Sequence, residues 1–333
     1  MRVNTKLLTT TAIAIAVGVC GALFLSSSIL TAQSADAVTT DTSQAVSAAK
    51  WSDNVTITIN DDDTFRYESD GLPSTYLADV YLVPDDPGMM PFSTNPDATF
   101  WDLKAADIEA SPIDTTITTL PVYSETPTDT SLGQIGVAIN GARLFNDYED
   151  MERTIVALDD NVIHDHAAFV DECNGHPLGD GTTYHYHGIP VCLTAEVDVD
   201  GEHSYMIGVL QDGFPVYANQ GEDGEIMVNA DLDECGGHFG PTPEFPDGIY
   251  HYHLTADEAP YTIDCYHGEV DMAQMRGGGG GGPDLSAAAE QLGVSQNALA
   301  AALGDGPPDF EAAAETLGIS VDDLMSVLPA PPQ

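Results

Sequence analysis

The chain is expected to be mostly β, a sandwich or irregular barrel with a small C-terminal all-α repeat module. Three observations predict this. Short apolar runs with period-two alternation recur between Gly, Pro, Asn and Asp turns from about residue 51 to 270. No amphipathic helix of ordinary length precedes residue 280. A Gly run then introduces two similar segments with helical spacing.

The first 37 residues read as an export signal. Arg2 and Lys6 precede an apolar run from Leu7 to Leu25, and Ala35-Asp36-Ala37 supplies a small-x-small cleavage site. Val19 stands where a lipoprotein site ending in Cys20 would need a small residue. The apolar run is nearly long enough to cross a bilayer, so an uncleaved anchor is the alternative, and only then is the membrane a partner. Residues 38–50, rich in Thr, Ser and Ala without periodicity, are expected to be a disordered lead-in.

The β domain is placed at 51–272. Val55, Ile57 and Ile59 alternate with Thr56 and Thr58 as in a half-buried strand. Further strands are expected at 65–67, 77–83, 115–119, 135–139, 143–145 and 205–210, with a long Pro/Gly/Asp loop over 84–96. Residues 150–170, around His164 and His166, fit either a helix or irregular structure.

Within this domain one frame occurs twice. Asp171-Glu172-Cys173-Asn174-Gly175-His176 leads through a Gly-rich turn to Tyr184-His185-Tyr186-His187 and then Cys192. Asp233-Glu234-Cys235-Gly236-Gly237-His238 leads through a Pro/Gly-rich turn to Tyr250-His251-Tyr252-His253 and then Cys265. The duplicated modules are thus 171–192 and 233–265. Side chains two apart on a strand share a face, so each tetrapeptide offers two imidazoles on one side and two phenols on the other. Paired imidazoles suit copper or zinc. His185, His187, His251 and His253 are therefore the primary candidate ligands, brought together by pseudo-symmetry. His176, His238 and His203 are candidates to complete one site or two, against a bland reading in which each bonds a backbone carbonyl. Asp171 and Asp233 are expected to orient imidazoles from behind; the tyrosines read as core aromatics.

Without Cys20, four cysteines remain, and in an exported chain they are expected as disulfides. Three connectivities are open. The repeat favours Cys173 with Cys192 and Cys235 with Cys265, each stabilising by roughly 3 to 4 kcal/mol on the chain-entropy model. Asp198-Val199-Asp200-Gly201-Glu202 makes calcium a further candidate, although EF-hand spacing is missing.

Composition narrows the partners. With 54 acidic residues against 8 basic, the chain repels nucleic acid and attracts metal cations. So few basic residues fit either a saline habitat or simple solubility. No phosphate-binding Gly loop and no Gly-x-Ser-x-Gly elbow is present.

A Gly-rich linker spans 273–283, and residues 284–329 repeat with a period of 25: Leu292-Gly293-Val294-Ser295 returns as Leu317-Gly318-Ile319-Ser320. Each unit reads as two short helices, Gly293 or Gly318 stopping the first and Ser295 or Ser320 capping the second. No basic residue lies here, which argues against DNA binding and for a docking module with a protein partner.

The ordered set of Asp-Glu-Cys-Asn-Gly-His, the two Tyr-His-Tyr-His motifs and Asp212-Gly213-Phe214-Pro215-Val216-Tyr217 between them resembles the bacterial YHYH-domain family. Ser69 to Pro73, Thr126 to Thr128, Gly136 to Gly141 and His203-Ser204 extend the likeness over residues 55–270. Asp70 stands where an Asn is expected and Ala218 where a Gly is. The resemblance implies an exported, periplasmic or extracellular protein and fixes no reaction. The reading that follows is an exported metal-binding protein with a His-lined copper or zinc site. The alternatives are a metal-dependent hydrolase or oxidoreductase, and a cell-surface structural protein without metal.

Overall fold

The computed structural model describes residues 39–150, 152–270 and 310–328, with the single positions 288, 291, 292, 299 and 303. The expected signal segment, 1–37, and the Gly-rich linker, 273–283, lie outside the described residues. Residues 39–50 are not a disordered lead-in. Thr39 bridges Val122, and helix α1 (Ser43–Ala48) buries Val46 while the Thr42 N–H donates to Thr119 O. Two small apolar side chains suffice to dock this segment, a signal too short for periodicity to report.

From there β1 (Val55–Ile59), β2 (Thr64–Ser69), β3 (Val80–Pro84), β4 (Phe100–Lys104), β5 (Ile113–Thr118), β6 (Tyr123–Asp129), β7 (Gln134–Ala138) and β8 (Arg143–Phe145) follow. Then come β9 (Ile163–His164), β10 (Ala167–Ala168), β11 (Gly175–His176), β12 (His185–Tyr186), α2 (Val191–Val197), β13 (Gly208–Leu210), β14 (Pro215–Tyr217), β15 (Gly237–Gly240), β16 (Ile249–His253) and β17 (Cys265–Gly268). The described residues of 150–170 hold short strands and turns and no helix. Residues 84–96 form the expected loop, broken by single 3-10 turns at Pro87–Met89 and Phe92–Thr94.

The fold is mostly β, but the sheets do not close into a barrel. The largest has eight strands in the order β11-β12-β8-β7-β13-β14-β16-β15, with β11 and β15 at its ends. A three-stranded sheet, β1-β2-β5, packs Phe65, Tyr67, Ile113 and Ile117 onto Val137, Val209 and Tyr217 of the large sheet. Tyr184, Tyr186, Tyr250 and Tyr252 lie in a second core with Ile135, Leu210, Phe214 and Val216.

The eight strands are two copies of one four-strand unit. In each, an antiparallel hairpin (β7-β8 or β13-β14) is followed by a strand parallel to its second member (β12 or β16) and an antiparallel edge strand (β11 or β15). The duplication is therefore longer than the Cys/His modules and begins at the hairpins, where Ile135-Gly136-Val137 and Gly141 correspond to Ile207-Gly208-Val209 and Gly213.

At the C-terminal end, α3 (Phe310–Leu317) and α4 (Val321–Val327) are separated by Gly318. Its φ of 68° and the Ile319 N–H donating to Ala314 O form the expected helix stop. Ala313, Ala314 and Leu324 share a small core with Ala288 and Leu299. Most of the first unit lies outside the described residues, so a complete two-repeat module is not seen.

Candidate metal centres

Each Asp-Glu-Cys-x-Gly-His segment is a tight turn feeding an edge strand. Asp171 Oδ1 accepts from the N–H groups of Cys173 and Gly175, and Asp233 Oδ1 accepts from those of Cys235 and Gly237. Asn174 (φ 65°) and Gly236 (φ 79°) both take the left-handed conformation that Asn and Gly tolerate best. Gly175 and Gly237 are required by close approach. A Cβ there would stand 2.4 Å from the Tyr184 hydroxyl and 2.3 Å from that of Tyr250. The disulfides join Cys173 to Cys192 and Cys235 to Cys265, the pairing the repeat favours.

Asp171 and Asp233 do not orient imidazoles in the two histidine clusters. Their Oδ2 atoms accept from the Tyr184 hydroxyl (2.9 Å), with Tyr81 joining at 2.7 Å, and from the Tyr250 hydroxyl (2.9 Å). Backbone carbonyls take the orienting role instead. The Nδ1–H of His185 donates to Thr183 O (2.8 Å) and that of His187 to Asn146 O (2.8 Å). In the second half His251 donates to Ile249 O (3.0 Å) and His253 to Ala218 O (2.5 Å). Each bond recurs at the corresponding residue. His203 is held likewise, on Ser204 O at 2.7 Å.

A carbonyl can only accept, so each of these Nδ1 atoms carries the proton and, in the neutral ring, each Nε2 presents a bare lone pair. Those lone pairs converge in two places. The ligand atoms of His176, His185 and His187 lie within 4.8 Å of one another, as do those of His203, His251 and His253. His238 sits 4.5 Å and 5.2 Å, ring centre to ring centre, from His251 and His253; His176 has the same distances to His185 and His187. The Nε2 atoms of His176, His187, His203 and His238 are buried without a hydrogen-bond partner. His251 Nε2 and His253 Nε2 approach to 3.1 Å.

The histidines thus form two centres, not one. β12 and β16 are five strand spacings apart, about 24 Å at ordinary sheet spacing. Aromatic residues at corresponding positions pack on both: Phe145 stacks on His185 at 3.8 Å, and Tyr217 meets His251 edge-on at 5.2 Å.

Burial favours the neutral form of His185, His187, His251 and His253. It drives His185 well below the ordinary histidine range, with His176 and His187 adding to the effect. Burial also lowers His187 to about 4 and His253 to about 3; with the nearby His253 it lowers His251 to about 2. Neutral imidazole is the metal-binding form.

One residue of the first centre was not anticipated. Glu149 Oε1 lies 3.2 Å from His187 Nε2 and 3.4 Å from His176 Nε2. Burial raises its carboxyl, and only His176 and His187 rings that carry a second proton draw it down, to about 2; beside neutral rings Glu149 Oε1 is a further buried acceptor without a donor. Glu149 follows β8 in a stretch without a motif, so nothing in the sequence singles it out.

The other histidines, and the segment offered for calcium, stand apart. His164 and His166 are exposed on β9-β10, where His166 meets Asp102 at 2.9 Å. His267 donates from Nδ1 to Ser124 O and lies 3.6 Å from Asp233 Oδ2. The neighbouring Cys235 is held in its disulfide and offers no thiolate. Asp198 Oδ1 accepts from the Tyr205 N–H, and the Asp198 to Glu202 segment is not among the converging groups of the described residues.

Residues 114–227 and 221–268 match the family model described as YHYH protein. No curated protein and no solved structure matches the chain.

Proposed function

We propose that this chain, a member of the YHYH protein family through residues 114–268, is an exported protein that binds copper or zinc at two histidine centres. One observation carries the reading: imidazoles fixed by Nδ1 bonds to carbonyls turn their Nε2 atoms toward one another inside the protein, and the Nε2 atoms of His176, His187, His203 and His238 are buried there without a hydrogen-bond partner. Buried polar atoms are almost always paired, and converging lone pairs repel. A cation reverses that repulsion. Imidazole suits copper and zinc at roughly 2.0 to 2.1 Å, so ligand atoms lying within 4.8 Å of one another would draw closer around an ion. Export is supported by the two disulfides, which persist in oxidising compartments. Among the described residues no helix is long and apolar enough to cross a membrane.

The test is metal analysis of protein purified without chelator. Copper or zinc is expected to co-purify, and His185→Ala combined with His251→Ala to abolish uptake of either added ion. The reading fails if no transition metal co-purifies and the double variant binds added copper and zinc as the parent does.

A further inference from the structure

We infer that the two centres are tuned to different ions: the Glu149 centre to divalent zinc and the all-imidazole centre around His203 to monovalent copper. This rests on the metal-binding reading and extends it by giving each centre its own ion.

The three shared imidazoles match in ring-centre spacing, although the ligand atoms that converge on His251 and His253 are completed by His203 and not by His238. His185 and His187 are 4.7 Å apart and His251 and His253 4.9 Å, in addition to the matching distances to His176 and His238. What differs is the fourth group, and it comes from non-corresponding places in the chain. Glu149 follows β8; counting on from the matched carbonyls of Asn146 and Ala218, the second half has Gly221 there. His203 precedes β13, its ring 5.4 Å and 5.1 Å from those of His251 and His253; counting back from Ile207 and Ile135, the first half has Ser131 there. Each half has acquired the donor that the other lacks.

The two donors differ by one charge, and inside a protein that difference is large. The cost of burying a net charge grows as its square, and only pairing relieves it. A divalent ion among three neutral imidazoles and the Glu149 carboxylate leaves a net charge of one. Among four neutral imidazoles the same ion would leave two, whereas monovalent copper leaves one. No carboxylate comes within ion-pair distance of His203, His238, His251 or His253 among the described residues. The acids that act on these rings from further off, Asp198 on His203 and Asp233 on His238, accept from other donors, Asp198 from the Tyr205 N–H. Asp233 binds the Tyr250 hydroxyl and its own turn; Glu244 binds the Tyr217 hydroxyl and the Met206 N–H. Donor softness points the same way, since carboxylate oxygen favours harder ions and imidazole is a good copper ligand.

The test titrates the metal-free chain, under anaerobic conditions with ascorbate, with zinc and with Cu(I) against competing chelators. One ion of each kind per chain is expected when both are supplied. Glu149→Gln should weaken zinc binding at least about tenfold and leave Cu(I) within about twofold, and His203→Gln should do the reverse. X-ray absorption of the doubly loaded parent checks the assignment without a variant: an oxygen donor beside imidazole at zinc, imidazole alone at copper. The proposal is overturned if zinc fills both centres with affinities within about threefold, if Cu(I) is lost in Glu149→Gln, or if copper shows an oxygen donor. If neither ion binds the parent chain, the metal-binding reading itself falls. Two bound ions of one kind leave that reading standing and remove only the discrimination.

Discussion

Val137 and Val209 pair directly across β7 and β13, and they are corresponding residues of the two repeats. An antiparallel pair of equivalent positions is the local mark of a two-fold relationship, so the halves of the eight-stranded sheet meet at their own symmetry point. Gly136 and Gly208 flank it, and each lacks space for a Cβ: Val209 O lies 2.7 Å from one such position and Val137 O 2.4 Å from the other. Growing outward from this seam, each half ends in its own turn, disulfide and histidine cluster.

Two centres so arranged should act independently. Sites with no shared partners are usually additive, and about 24 Å of sheet lies between them. His185→Ala with His187→Ala is expected to remove one bound ion and leave the affinity of the second centre unchanged; His251→Ala with His253→Ala should do the converse. Calorimetric titration of both pairs reads this directly, and loss of both ions from either pair would contradict it.

Gly175→Ala and Gly237→Ala should each destabilise by at least about 1–3 kcal/mol, the usual scale of overpacking, because the added methyl meets a tyrosine hydroxyl held on an aspartate. Tyr184→Phe in the Gly175→Ala background should recover part of the loss by removing the colliding oxygen. Denaturant midpoints of the three variants provide the measurement. No change in midpoint for either glycine variant would show that the turn has room to shift.

Each disulfide lies in its own half, so their contributions should add. Cys173→Ser with Cys192→Ser, and Cys235→Ser with Cys265→Ser, are each expected to cost about 2–5 kcal/mol, and the quadruple variant about the sum. Thermal unfolding of the set checks this. A quadruple variant no worse than one pair would mean that the halves are not independent.

What the sequence made legible was local or repeated. Val55 to Ile59 alternates plainly, and the doubled Cys frame was enough to favour the disulfide pairing. The histidines announced themselves by spacing, yet their division into two centres follows from β12 pairing with β8 and β16 with β14, long-range parallel contacts that no local pattern encodes. Glu149 was illegible for the same reason, since only tertiary packing brings it to His176. The misassigned roles of Asp171 and Asp233 have a different origin. An aspartate beside a histidine motif invites a partnership with the ring, but its own turn N–H groups and the tyrosine hydroxyl are nearer, and the carbonyls of Asn146 and Ala218 complete the imidazoles. The longer repeat was visible in Ile135-Gly136-Val137 and Ile207-Gly208-Val209 and is overlooked when only the histidine modules are aligned.

The same correspondence links Asn140 to Asp212, and a pH dependence follows from it. Asn140 Nδ2 donates to the Tyr186 hydroxyl, whereas Asp212 Oδ2 accepts from the Tyr252 hydroxyl at 2.6 Å and from the Gly268 N–H at 3.0 Å. Complete burial pushes the Asp212 carboxyl up from 3.8 to about 6, even though these donors favour its charged form. A raised acid binds its proton more tightly in the folded chain, so its stabilising contribution is full below about pH 3.8 and is lost as pH rises through 6. Two units correspond to about 3 kcal/mol. Asp212→Asn installs the uncharged side chain found in the other half and removes this titration, at the expense of the acceptor for Gly268. The stability of metal-free parent minus variant should therefore fall by about 2 to 2.5 kcal/mol between pH 4 and pH 7, while groups common to both cancel. Denaturant unfolding across that range measures the difference, and a flat difference would show that Asp212 is already charged in the folded protein at pH 4.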